Sequence, residues 1–136
     1  MICGLALVDE RPHALVRVLR GKQQVEEFAL ELDAIVDATF DGGRLGVIVP
    51  IKQQQASSAT RWSRVDPGVV VTVASPYDDS SRLIAAAEEL RRASVTLVVM
   101  ECQGFTGSMK QVVREVTGAP ALLPTSVLAR FLAELA

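Results

Sequence analysis

The chain has 136 residues, 14 of them basic and 16 acidic, for a formal net charge of −2, and 49% of its residues are hydrophobic. That length suits one domain with a real core, and the balance excludes a disordered segment. No basic patch stands out, and one Trp, one Tyr and four Phe are scattered along the chain, so nothing in the composition supports binding to nucleic acid.

The two cysteines, Cys3 and Cys102, do not make a disulfide framework. Met1–Val8 is apolar, but it lacks a basic leader and runs straight into Asp9, Glu10 and Arg11, so it does not read as a signal peptide. The longest apolar runs fall far short of a membrane span. The expectation is a cytoplasmic protein that engages no membrane.

Residues 1–42 admit two readings. Val25–Ala38 has helical spacing, with Phe28, Leu32, Ile35 and Val36 inward. Alternatively, Ala14–Leu19 and Gln24–Phe28 flank Arg20-Gly21-Lys22 as a hairpin. The preferred reading is a short strand at Ile2–Leu7, an irregular stretch, then the helix.

From residue 43 the pattern is regular. Leu45–Val49 is a short apolar run closed by Pro50, followed by a polar, Gln-rich stretch, Lys52–Arg61, that ends at Trp62. Asp66-Pro67-Gly68 marks a turn. Val69–Val73 is continuous and β-branched, which predicts a strand buried on both faces. Asp78, Asp79 and Ser80 offer N-cap oxygens to a helix with Leu83, Ile84, Ala87 and Leu90 on one face and a Glu88–Arg92 pair four apart. Val95–Met100 is a second strand of the buried type. Gln103–Gly107 leads into a helix whose face is Met109, Val112, Val113 and Val116, with Gly118 as its stop. Ala121–Leu123 is a short fourth strand. Thr125 or Ser126 then caps a last helix with Val127, Leu128, Phe131, Leu132 and Leu135 inward.

Strand followed by helix, four times over, predicts a three-layer, doubly wound α/β fold of the flavodoxin-like kind with a four-stranded parallel sheet. The expected organisation is an N-terminal segment at 1–42 and an α/β domain at 43–136. Ligands of such sheets bind beyond the carboxyl ends of the strands. The strand-end segments are Gly46-Val47-Ile48-Val49-Pro50, Ala74-Ser75-Pro76-Tyr77, Glu101–Ser108 and Leu123-Pro124-Thr125-Ser126.

The third loop carries the most chemistry. Cys102 ends a buried strand just ahead of a helix N-terminus, where free N–H groups favour thiolate and attract carboxylates. Gly104 and Gly107 allow close backbone approach, and Thr106 and Ser108 can cap the helix or bind an anion. An inert buried cysteine in an ordinary strand–helix turn is the competing reading. Ser75 and Tyr77 are ligand contacts or turn and cap residues. Glu101 is a base or a solvated acid. Trp62 packs under a helix. His13, the single histidine, reads as a surface residue, and no acids or cysteines have metal-ligand spacing.

Arg44-Leu45-Gly46-Val47-Ile48-Val49-Pro50, Gln54 or Gln55 with Trp62, Ser75-Pro76-Tyr77, and Val98-Val99-Met100-Glu101-Cys102-Gln103-Gly104-Phe105 together resemble the AroM family. Ser126-Val127-Leu128-Ala129-Arg130 continues the likeness, which runs over roughly residues 35–136. AroM proteins are similar to the aspartate/glutamate/hydantoin racemase superfamily, in which two pseudo-symmetric α/β halves face each other and each supplies a cysteine. The resemblance implies that Cys102 is the second of these cysteines and that Gln103, Gly104, Phe105 and Thr106 form the anion-binding loop. Glu101 stands where the family has Asp, and Phe105 where it has Tyr.

The resemblance also implies a first half that is incomplete in this chain. In one register Cys3 is the first-half cysteine; in another, Leu15–Gly21 matches an earlier hairpin and that cysteine is missing. The implied chemistry is cofactor-independent racemisation or isomerisation of a small amino acid or related carboxylate. Cys102 and Cys3 would be the acid and base, and Ser75, Tyr77 and the Gln103–Thr106 loop would hold the substrate. The alternatives are a non-catalytic carboxylate-binding or regulatory module, and a degenerate fragment that survives by dimerising. The expected partners are a small carboxylate and a second copy of the chain.

Overall fold

The computed structural model describes residues 32–135. A helix at residues 32–39 (α1) leads into strand β1 (Leu45–Val49), a 3-10 turn (Lys52–Gln54) and helix α2 (Gln55–Trp62). Strand β2 (Val70–Val73), helix α3 (Ser80–Arg92), strand β3 (Leu97–Met100), helix α4 (Gly107–Thr117), strand β4 (Ala121–Leu122) and helix α5 (Pro124–Leu135) follow. The strands form one sheet in the order β2-β1-β3-β4, and every pairing is parallel. Helices cover both faces, so the doubly wound α/β fold expected from the sequence is the fold observed.

Strand alternation explains the two cores. Leu45, Val47 and Val49 of β1 and Leu97 and Val99 of β3 face one side, where they meet Leu32 and Val36 of α1 and Trp62 of α2. Ile48, Val98 and Met100 face the other, against Leu83, Ala86, Ala87 and Leu90 of α3 and Val113 of α4. β1 and β3 are buried along their whole length. β2 departs from the expectation of burial on both faces, because its residues are half-buried except Thr72. It is an edge strand, and a β-branched run does not reveal which strand of a sheet lies outermost.

α2 has a sequence, QASSATRW, with poor helical preference, and Ser57 and Thr60 turn their hydroxyls back on carbonyls of the preceding turn. Its anchors are tertiary. Trp62 is fully buried, and the Gln55 amide donates to the Val71 carbonyl of the edge strand at 2.7 Å. The packing of Trp62 beneath a helix therefore holds.

Three local expectations shift. Asp79 caps α3 by accepting from Ser81 N, but Glu88 pairs with Arg91 at 2.7 Å rather than with Arg92, and Ile84 is exposed. α5 starts at Pro124, whose fixed φ suits a first helical position, so Thr125 and Ser126 lie inside the first turn and neither caps it. The Thr125 hydroxyl is buried without a hydrogen-bond partner. Of the α5 face, Leu128 and Leu132 are buried while Leu135 is exposed.

Gly118 closes α4 in the left-handed region at φ 70°, donating to the Arg114 carbonyl at 2.9 Å. Gly118→Ala is expected to cost about 1 kcal/mol, the penalty of a Cβ at that φ, as a lower urea midpoint with an unchanged slope. The strand at Ile2–Leu7, the alternative hairpin, Cys3, His13 and Phe28 lie outside the described residues.

Candidate functional site at the carboxyl edge of the sheet

All four strands end on the same edge, and β1 and β3 are neighbours there although β2 separates them in sequence. That is the switch point of the sheet, where the connections leave toward opposite faces and open a crevice. The pairing of β1 with β3 runs one residue past the strand, through Glu101 N to the Ile48 carbonyl at 2.9 Å. Consecutive residues then point to opposite faces. Glu101 turns toward α2, and Cys102 packs against the α3–α4 core.

Cys102 is half-buried, and its Sγ accepts the Gly104 N–H at 3.4 Å. A tight turn makes this geometry, with Phe105 N donating to the Cys102 carbonyl at 3.3 Å. The Phe105 ring is buried in the α3–α4 core, so this residue contributes to the loop surface through its backbone only. Gln103 is half-buried. Thr106 is the N-cap of α4, with its hydroxyl accepting from Met109 N at 3.3 Å and paired with the Ser108 hydroxyl at 2.9 Å.

The loop after β2 folds over the same place. Ser75 Oγ accepts from Tyr77 N at 3.2 Å, a local turn that projects Tyr77 outward. Tyr77 is 81% exposed, yet its hydroxyl rests against Gly104. A Cβ at residue 104 would lie 2.8 Å from both the Tyr77 Oη and the Pro76 Cγ, so the close approach of the two loops requires glycine. Ser75, Tyr77, Cys102 and Gly104 thus come together. Thr106 stands a few residues on, at the start of α4, and Cys3 lies outside the described residues. Beside these loops runs a groove of about 380 Å³ between the N-terminal turns of α3 and α4, with Ser75, Asp78 and Ser108 at its rim and Leu83 and Met109 along it.

Glu101 is neither a free base nor a solvated acid. Its carboxylate accepts from Ser58 Oγ at 2.9 Å and from the Trp62 indole Nε1, and it pairs with Arg61 Nη1 at 3.3 Å. Arg61 lies over the Trp62 ring, 4.6 Å from its centroid, and also pairs with Asp33 of α1, which holds Arg64 at 2.9 Å. Ser58, Arg61 and Trp62 share one face of α2, a spacing visible in the sequence. Their partner lies 39 to 43 residues away, which no local pattern signals.

A parallel sheet wound on both faces, with a thiol loop at its switch point, defines a doubly wound α/β protein with a candidate site at the carboxyl edge. The chain belongs to the AroM protein family, whose model matches residues 26–136 and so takes in α1 as well as the motifs that begin near residue 35. No curated protein and no solved structure matches the chain. Among the described residues no helix is long and apolar enough to cross a membrane, and no cluster of three His, Cys, Asp or Glu is arranged to hold a metal ion.

Proposed function

We propose that this AroM family member binds a small amino acid or related carboxylate at the Cys102 loop, with the Cys102 thiol moving the substrate's α-proton without a cofactor. The observation that carries the reading is the setting of Cys102. It is a half-buried thiol at the switch point of the sheet, with a backbone N–H directed at its sulfur. The thiol is thus held at the edge where ligands of such sheets bind, within reach of a substrate's α-carbon.

The groove supports an amino acid over a simple acid. The substrate carboxylate is assigned to Ser75, Ser108 and the positive end of α4, and its ammonium to the Asp78 side of the groove. Tyr77, laid across Gly104, shields the reacting carbon from solvent. Racemisation needs a second acid on the opposite face, a role assigned here to Cys3.

The test is α-proton exchange of amino acids in D2O, followed by NMR, with Cys102→Ala as the comparison. Exchange by the unsubstituted protein that falls at least about 100-fold in Cys102→Ala is the expected result. Cys102 alkylation by iodoacetamide, in a Cys3→Ser background, should slow when the same amino acid is present.

The second reading is a carboxylate-binding or regulatory module. It is favoured by the engagement of Glu101 with α2, which leaves Cys102 without that acid as a catalytic partner. Calorimetric binding of an amino acid with no α-proton exchange would establish the module and sink the catalytic role.

A further inference from the structure

We infer that Glu101 is a positioning residue for Cys102, clamped by α2 so that the β3 exit presents the thiol in one direction. The inference deepens the reading of Cys102 as the reacting group and rests on it.

Cys102 N donates to the Met100 carbonyl at 3.0 Å, a tight turn centred on Glu101, so the Glu101 torsions set the direction in which Cys102 leaves the strand. Glu101, one residue past β3, makes the last tie to the sheet, through its N–H to the Ile48 carbonyl at 2.9 Å. From there the chain leaves the ladder. The Cys102 backbone is held by its N–H on the Met100 carbonyl and by Phe105 N on its own carbonyl at 3.3 Å, whereas its side chain has only the weak Gly104 N–H···Sγ contact of 3.4 Å and partial packing.

The carboxylate one residue earlier has three partners on a single helix, namely Ser58 Oγ, Arg61 Nη1 and Trp62 Nε1. Its side chain is 14% exposed, so these bonds are made largely away from water and each holds direction more firmly than a surface contact would. Burying a carboxylate is expensive and does nothing for the fold that an apolar residue would not do as well. What it adds is orientation. A three-point grip sets the Glu101 torsions, and through them the side on which Cys102 emerges.

α2 is itself fixed at both ends, by Gln55 to the Val71 carbonyl at 2.7 Å and by the fully buried Trp62. Arg61 carries the grip on to Asp33 of α1. The elements of one face thus hold the residue that aims the thiol toward the other face.

The test is amide hydrogen exchange by mass spectrometry on the full chain in a Cys3→Ser background, comparing Trp62→Phe, Glu101→Leu and Glu101→Gln. Trp62→Phe keeps an aromatic side chain and the net charge, and removes the indole donor together with part of the ring, so the α3 interior serves as the control for lost packing. Trp62→Phe and Glu101→Leu are expected to speed exchange of residues 102–106 about tenfold, with the interior of α3 unchanged. Glu101→Gln should recover most of that protection, because its amide oxygen still accepts from the indole.

In the same variants Cys102 alkylation should quicken as the thiol is freed, while α-proton exchange of bound amino acid slows. Equal acceleration at the loop and in α3 would make Glu101 a stability residue only and overturn the inference. Unchanged exchange at 102–106 in the folded variants would overturn it as well. Absence of α-proton exchange in the unsubstituted protein sinks the proposed activity alone, since the loop measurement stands without it.

Discussion

Arg61→Met is expected to destabilise the protein by about 3 kcal/mol, read as a drop of roughly 10 °C in Tm. Arg61 links two carboxylates shielded from water, Glu101 at 14% and Asp33 at 13% side-chain exposure. Removing it leaves Glu101 in place and takes away the charge that compensates it, while Asp33 keeps Arg64. The guanidinium is itself 35% exposed, which trims the loss below that of a fully buried pair.

A second substitution separates charge from packing. In Arg61→Met/Glu101→Gln the uncompensated carboxylate is gone, while the amide oxygen still accepts from the Trp62 indole and the amide NH2 can donate to the Ser58 hydroxyl. The double variant should therefore be more stable than Arg61→Met alone by about 1 kcal/mol, although it carries one change more. If the two losses simply add, Arg61 acts through its packing on the Trp62 ring and the charge compensation is unimportant.

The same cluster shows what sequence patterns reach and where they stop. β1 and β3 could be read from continuous apolar runs bounded by turns, because strands buried on both faces have no polar side to interrupt them. α4 and its end at Gly118 followed from spacing and from the tolerance of glycine for positive φ. The prominence of Cys102 followed from topology, since a residue closing a parallel strand must lie on the carboxyl edge of the sheet.

The failures concern choices made in three dimensions. The edge position of β2 depends on strand order, and Val69–Val73 would look the same in the middle of a sheet. Glu88 could reach Arg91 or Arg92, and rotamers decided for Arg91. The polar residues of α2 gave no sign that Ser58, Arg61 and Trp62 converge on Glu101, since the two segments meet only once the sheet has formed. The buried Phe105 ring, expected at the anion loop, was drawn into the α3–α4 core by its own apolar surface.

Asp66 offers a sharper case of one side chain holding several backbones, and Asp66→Ala is expected to cost about 3 kcal/mol. The residue is 7% exposed and sits at the turn that delivers β2. Its Oδ2 accepts from Leu45 N, the first residue of β1, at 2.9 Å, and its Oδ1 accepts from Gly68 N at 2.9 Å. Arg44 Nη1 bridges both oxygens at 3.3 and 3.4 Å. Alanine strands two backbone donors, each worth about 1–3 kcal/mol when left unpaired.

Asp66→Asn is the informative companion. An amide has one accepting oxygen, so its NH2 group must face one of the two N–H donors. We therefore expect asparagine to recover at most about 1 kcal/mol of the alanine loss, measured by urea denaturation at neutral pH. Near-complete recovery would mean that a single acceptor is enough and that the Gly68 turn forms without help. In that event the alignment of β1 with β2 is set by the strands themselves, and the Asp66-Pro67-Gly68 turn merely follows it.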